Sequence, residues 1–317
     1  MKTIINMIVL VLIAASGYAQ QDPQFNQYIF NELVINPAYA GTKGVVNANA
    51  IYTTQWAGFS GSPTTQTVSV EGPATENVGL GLHIVNDQIG AQSQQSIFGS
   101  YAYHLKLSDK FKLSLGLAAG ASYYTVDGTK LITENPSDPA IPTYKATSLQ
   151  FDSKTGLFLY SDRFFAGASV SDLLANVFKS SNLLVAAQTR QYFLTSGYVF
   201  DLSKKFKLKP SFLVKQDFNA PSNIDINVFL LYNDRFWLGI TERTGARIFQ
   251  SSDLQSSVRS ADALVFMIDF NMNDRLRVGY AYTYSTSVLN AYPGSEFSLG
   301  YSIPNKIPTK MSSIRYF

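Results

Sequence analysis

Apolar and polar side chains alternate with a period of two along most of the chain after residue 45. In 111–123 one face reads Phe111, Leu113, Leu115, Leu117, Ala119, Ala121 and Tyr123, and the other Lys112, Ser114, Gly116, Ala118, Gly120 and Ser122. In 276–284 Leu276, Val278, Tyr280, Tyr282 and Tyr284 lie opposite Arg277, Gly279, Ala281 and Thr283, while Lys205, Lys207, Lys209 and Lys215 alternate with Phe206, Leu208, Phe212 and Val214. Weaker copies run through 78–84, 224–232, 264–270 and 297–303. A strand sends successive side chains to opposite faces, whereas a helix repeats every 3.6 residues, so these segments predict strands.

One short turn recurs between them: Leu107-Ser108-Asp109-Lys110-Phe111, Tyr160-Ser161-Asp162-Arg163-Phe164, Leu202-Ser203-Lys204-Lys205-Phe206, Tyr232-Asn233-Asp234-Arg235-Phe236 and Met272-Asn273-Asp274-Arg275-Leu276. Ser, Asn and Asp suit tight hairpins because their side chains bond the local backbone and tolerate unusual dihedrals. Longer polar stretches at 126–148, 171–189, 217–222, 244–262 and 286–295 alternate with these turns. The strands expected are 45–54, 64–71, 78–85, 92–105, 110–125, 149–160, 164–171, 190–200, 205–216, 223–232, 236–242, 263–271, 275–285 and 296–303. An even set of about 14 strands with alternating short and long connections is what a membrane-spanning antiparallel up-and-down β-barrel produces.

The same alternation would satisfy a soluble β-sandwich with its polar face in water. Composition tilts the choice. The polar face is rich in Gly, Ala and Ser, aromatic residues make up 14% of the chain and charged ones 15%. Phe111, Tyr160, Phe164, Phe206, Tyr232, Phe236 and Trp237 stand near strand ends, where an interfacial girdle would place them. Hydrocarbon offers no hydrogen-bond partners, so a sheet can span it only when closed on itself.

The beginning of the chain reads differently. Lys2, the apolar run 8–15, and Gly17 and Ala19 as small residues before Gln20 predict a signal peptide over 1–19, cleaved after Ala19. The mature N-terminus, 20–44, reads as a short periplasmic segment before a barrel over 45–303, with a periplasmic tail at 304–317. Within it Asp22 and Pro23 are placed to start a helix with Phe25, Tyr28, Ile29 and Leu33 on one face, ended by Asn36 and Pro37. Pro304 and Pro308 stop the last strand, since proline cannot donate to a central ladder. No stretch approaches the ~18 apolar residues of a spanning helix.

The stretch Asp22-Pro23-Gln24-Phe25-Asn26-Gln27-Tyr28 followed by Asn36-Pro37-Ala38-Tyr39-Ala40-Gly41 resembles the opening signature of the PorP/SprF family. Gln55-Trp56-Ala57-Gly58-Phe59, Gly79-Leu80-Gly81-Leu82, Asn86-Asp87-Gln88-Ile89-Gly90, Tyr192-Phe193-Leu194-Thr195-Ser196-Gly197-Tyr198 and the run 207–215 carry the likeness along nearly the whole mature chain. The resemblance implies an outer-membrane protein of Bacteroidetes, tied to the type IX secretion system and gliding motility. It implies a non-enzymatic component that contacts a periplasmic ring protein or lipoprotein, or supports export and surface attachment of a secreted adhesin. Phe25, Tyr28, Asn36, Pro37, Tyr39, Gly41 and Trp56 are the residues expected at a partner contact; the Asn36–Gly41 motif could equally plug the lumen entrance or be a rigid turn.

Candidate chemistry is sparse. There is no Cys and only His83 and His104, which by strand parity face the lumen on neighbouring strands. Ser100 shares a face with His104, but two positions along a strand do not make a triad. No catalytic residue, cofactor or metal is expected. Losing Lys2 leaves one fewer than the 25 basic residues against 22 acidic, too even a balance to point to nucleic acid; lipid is the other partner implied. Lys112, Lys205, Lys207, Lys209, Arg275 and Arg277 lie near the short turns, either ringing the polar lumen mouth or docking an acidic periplasmic partner. The competing function is a porin or small-solute transporter, which wants a roomy lumen with a charged constriction.

Overall fold

The computed structural model describes residues 26–131, 143–175, 188–218, 220–246, 263–286 and 291–303. Fourteen strands form one antiparallel sheet: β1 (Val46–Thr54), β2 (Thr64–Pro73), β3 (Val78–Ile89), β4 (Gln92–Lys106), β5 (Lys112–Asp127), β6 (Lys145–Tyr160), β7 (Phe164–Ser171), β8 (Gln191–Tyr198, continued by Phe200–Asp201), β9 (Phe206–Gln216), β10 (Ser222–Tyr232), β11 (Phe236–Ala246), β12 (Ala263–Asn271), β13 (Leu276–Ser285) and β14 (Gly294–Ile303). Each strand pairs with its neighbours in sequence, and β14 returns to β1 from Val46 opposite Ile303 to Thr54 opposite Ser295. The sheet therefore has no edge, which is the condition for crossing hydrocarbon.

Burial across this sheet is inverted relative to a soluble protein. Outward positions are apolar and open, with Leu117 62% and Phe151 59% exposed, while inward positions such as Asn47, Thr67, Ser114, Asp225, Asn227, Asp269 and Glu296 are buried. A water-facing sandwich would show the reverse. Phe111, Phe206, Tyr232 and Phe236 do face outward near the short turns, and Phe206 with Tyr232 and Phe236 with Phe270 pair across strands at 4.9 and 4.5 Å. Trp237 and Tyr160, placed in that girdle by the sequence reading, instead point into the lumen at 4% and 3% exposure. Each lies one residue out of phase with the outward side chains of its strand.

The recurrent turn is explained by its side chains. Ser108, Ser161, Ser203 and Asn273 each accept backbone N–H groups two and three residues on. Asn233 and Asp234 instead take φ of 54° and 55°, the left-handed pair of a tight hairpin. These turns share one end with the start of β1 and the end of β14. The longer connections gather at the other end, except that β3 and β4 run on to meet across Gly90 and Ala91 alone. Strands β4, β5 and β6 reach 15, 16 and 16 residues. At roughly 50 Å along strands tilted by ~35–45° they reach a height of about 35–40 Å, more than the ~25 Å apolar band of a barrel, so one side of the wall stands proud of the bilayer.

Among the described residues the ladder is interrupted at Val199, and the interruption has a local cause. Gly197 faces Ser211 and Phe200 faces Leu208 in one continuous register, which sets Pro210 opposite Tyr198. Pro210 has no N–H to give there.

Candidate functional site

Inside this cylinder lies the chain's own N-terminal segment. Three 3-10 turns, Gln27–Phe30, Glu32–Val34 and Pro37–Tyr39, follow one another with every residue from Asn26 to Thr42 buried. The single helix expected from its one apolar face does not form. Asn31, outside the helical region at φ −144° and ψ 58°, breaks it, and with barrel wall on all sides no face needs to be polar: Gln27 and Glu32 are as buried as Ile29 and Leu33. The segment expected on the periplasmic side thus sits as a plug within the lumen, and the plug reading of the Asn36–Gly41 motif describes the observed arrangement.

The wall is carved to receive it. A Cβ on Gly79 would stand 2.0 Å from the Ala40 carbonyl oxygen, one on Gly116 2.0 Å from the Ala38 nitrogen, and one on Gly156 2.1 Å from Asn36 Oδ1. The small inward faces of β3, β5 and β6 are therefore the seat of the plug. On the opposite wall Phe30 meets Phe229 at 5.9 Å and Trp237 at 5.8 Å, both edge to face, and Arg277 lies 4.1 Å over the Phe30 ring. Tyr39 packs edge to face on Phe158 at 5.5 Å. The plug thus touches opposite sides of the cylinder rather than leaning on one.

Polar contacts fix its ends. The Glu296 carboxylate accepts the backbone N–H of Asn26 at 3.1 Å and of Gln27 at 2.6 Å, as well as the Thr53 hydroxyl at 2.9 Å. Gln27 reciprocates, its amide donating to the Glu296 carbonyl and its Oε1 accepting from Ser298. At the other end Gly41 N–H donates to Glu71 Oε2 at 2.7 Å; its φ of +76° and the nearby Gly79 Cα leave no room for a side chain. Between them, Ser69 donates to Asn31, Lys154 to the Val34 carbonyl, Ser169 to the Ile35 carbonyl, Asn36 to the Leu157 carbonyl and Asn227 to the Tyr28 hydroxyl. Hydrogen bonds to charged groups contribute about 1.5–3 kcal/mol each, which ranks the two glutamates above the neutral contacts.

Three of the six cations expected near the short turns are engaged internally. Arg277 pairs with Asp269 at 3.1 Å and donates to Asn49, Lys207 pairs with Asp234, and Lys209 is buried over the rings of Phe165 and Trp237. Arg243 grips Asp225 through two nitrogens, and Lys215 adds a contact at 3.7 Å. Lys205 and Arg275 are exposed and Lys112 half-buried. On the plug itself, burial pushes the Glu32 carboxyl up to about 7, with Lys209 and Lys43 only partly offsetting it; burial pulls the Lys43 ammonium down to about 8.

Of the residues expected at a partner contact, Tyr28, Asn36, Pro37, Tyr39 and Gly41 are gathered in the plug. Trp56 is half-buried at the long-loop end, in the β1–β2 connection at φ 53°, and Phe25 lies outside the described residues, as do the signal peptide and the tail at 304–317. Both histidines face the lumen: His83 stacks on Phe98 at 5.4 Å, and the Tyr160 hydroxyl meets His104 Nδ1 at 3.2 Å. Among the described residues no cluster of three His, Cys, Asp or Glu could hold a metal. Sequence reasoning passed over Glu296, Glu71, Gly79 and Gly116. The only signal of the two glycines was a row of small residues on inward faces.

Above the plug, toward the long loops, the lumen opens into a cup floored by Tyr28, Val34 and Ile35.

Comparisons with known proteins agree with this architecture. The family described as type IX secretion system membrane protein PorP/SprF matches residues 17–302. Among solved structures, the CymD monoaromatic hydrocarbon channel is similar at 12% identity, with 89% of this chain and 94% of that one covered and a TM-score of 0.50. A Pseudomonas aeruginosa FadL homologue follows at 10% identity, 89% and 94% coverage and 0.47, and the Acinetobacter baumannii outer membrane protein Omp33 at 7%, 82% and 100%, and 0.45. At 12% identity the likeness to CymD is one of fold. No curated protein matches.

Proposed function

The chain belongs to the PorP/SprF family of type IX secretion system membrane proteins, and from that premise we propose that it serves the apparatus as a closed outer-membrane barrel that acts by protein contacts rather than by catalysis or solute flux. The observation that carries this reading is the lumen filled by residues 26–42, anchored on Glu296 and Glu71 and seated on glycines. A porin needs an open path with a charged constriction. Here Arg277, Lys209 and Arg243 are occupied by the plug or by neighbouring carboxylates.

Barrels of this kind keep short turns on the periplasmic side. The short-turn rim carries Lys110, Lys204, Lys205, Arg235 and Arg275, all exposed, a surface suited to an acidic face of a periplasmic ring component. The exported adhesin is the partner for the long-loop end. Outward charges contribute mainly to encounter and register, so reversing several at once is the informative change.

Crosslinking in native membranes, followed by recovery of the barrel, tests this. The wild type is expected to bring down a type IX ring component or a large exported protein, and a Lys204→Glu, Lys205→Glu, Arg235→Glu triple variant to lose the ring component by about tenfold or more while folding normally. Recovery of no secretion component would overturn the reading.

A further inference from the structure

The cup above the plug has a composition that the barrel does not require. Its walls are apolar at Val34 and Ile35 from the plug and at Val85, Phe193 and Leu213 from the strands. Among them stands Lys154, a residue only 8% exposed. Its ammonium donates to the Val34 carbonyl at 3.2 Å and lies 4.5 Å over the Phe98 ring. Among the described residues no carboxylate pairs with it. Lys215, the other lining cation, is held at 3.7 Å by Asp225, which Arg243 also grips.

His83 stacks on the same Phe98 ring and lines the same cavity, and its Nδ1 has no hydrogen-bond partner among the described residues. An ammonium withdrawn from water and met by one carbonyl is under-compensated. Such a group is retained at low cost when an anion completes its shell. Asp172 and Asp217 also line the cavity but are engaged elsewhere, accepting from the Ser171 hydroxyl and the Ala220 N–H; Lys154 beside the His83 imidazole then matches a single negative charge, and the Val, Leu, Ile and Phe side chains of the lining match a hydrocarbon body. Small-ligand sites have this build: a mostly apolar cavity with a few converging polar groups.

We propose that the cup binds a small amphipathic monocarboxylate from the long-loop side, its carboxylate on Lys154 and His83 and its apolar body against Val85, Phe193 and the plug floor. The assignment goes beyond the secretion role and does not depend on which partner the barrel contacts. It does depend on the plug being seated, since Val34 and Ile35 supply the floor.

The test uses the mature full-length protein in lipid nanodiscs and two water-soluble probes of equal shape, 3-phenylpropanoate and 3-phenylpropan-1-ol, with binding read by calorimetry. The wild type is expected to prefer the acid by about tenfold or more. Lys154→Met should reduce the acid to the level of the alcohol, and Lys154→Arg should restore the preference. Val85→Trp, which narrows the cup without touching the cation, should weaken both probes alike; retained heat-modifiable migration in gels establishes that each variant is folded. Equal binding of acid and alcohol to the wild type, an undiminished acid preference in Lys154→Met, unaltered affinity in Val85→Trp, or no binding of either probe would each overturn the proposal.

Discussion

Glycine at position 79 is fixed by what occupies the space its side chain would fill. The Ala40 carbonyl oxygen lies 2.0 Å from an added Cβ, and the neighbouring contacts are also backbone, so no rotamer change relieves the clash. Overpacking of this kind costs about 1–3 kcal/mol and here falls on the plug rather than on the β3 ladder. Because the chain contains no cysteine, a Thr42→Cys reporter at a fully buried position can be followed cleanly. We expect it to resist a membrane-impermeant maleimide in the otherwise native chain and to label at least about tenfold faster with Gly79→Val added; equal rates would show that the plug does not rest there. Glu296 is the opposite case, a large polar residue buried to hold backbone donors. Glu296→Gln leaves one acceptor oxygen where two N–H groups and a hydroxyl converge. At about 1.5–3 kcal/mol for a charged hydrogen bond, hydrogen exchange at the Asn26 and Gln27 amides should accelerate by roughly 10- to 100-fold, and unchanged protection would contradict the anchor.

At the scale of elements, the strands were legible because a two-sided environment writes a two-residue period. The expected spans 164–171 and 263–271 coincide with β7 and β12, and most others end within two residues of the observed strand. The larger departures are informative. β3, β6 and β11 run four residues further toward the long loops than the pattern indicates, through Asn86–Ile89, Lys145–Ser148 and Arg243–Ala246, where the wall stands above the apolar band and lipid no longer selects every second side chain. The plug was not legible in the same way. Enclosed on all sides, it has no face to advertise, so an apparent helical stripe of Tyr28, Ile29 and Leu33 gave the wrong element, and Tyr28, Asn36, Pro37, Tyr39 and Gly41 of the expected partner-contact set lie inside the barrel. Its seat was visible only as an unexplained run of small residues.

The plug also carries the charge that makes its hold depend on pH. Burial raises the Glu32 carboxyl from 4.5 to about 7, so the seated segment binds a proton more tightly than a withdrawn, hydrated one. The resulting stabilisation is complete below about pH 4.5, is lost as pH rises toward about 7 and changes no further above it. Trp237 contacts Phe30 at 5.8 Å, and Trp56→Phe leaves it the sole fluorophore among the chain's two tryptophans. Plug withdrawal in denaturant, followed through Trp237 emission, should have a higher midpoint at pH 5 than at pH 7.5, and Glu32→Gln should shrink that difference. A lower midpoint at pH 5 would reverse the sign argued here.

On the scale of the whole molecule, two constraints meet in one cylinder. Lipid requires a closed ladder with apolar side chains outside, which consumes the hydrophobic residues that a soluble protein would bury. The interior must then be filled by something else, and here polar strand faces, small residues and seventeen residues of the same chain, 26–42, fill it together. On the reading proposed above, a barrel so occupied offers surfaces rather than a passage: a cationic short-turn rim on one side and an apolar cup with a buried ammonium on the other. The most direct test of that account is conductance across a planar bilayer, comparing the mature protein with a variant from which residues 20–42 are deleted. The intact protein should pass no steady current and the deletion variant should open in discrete, long-lived steps. A steady large conductance from the intact protein, matched by the variant, would mean that the lumen is not closed by its own N-terminus.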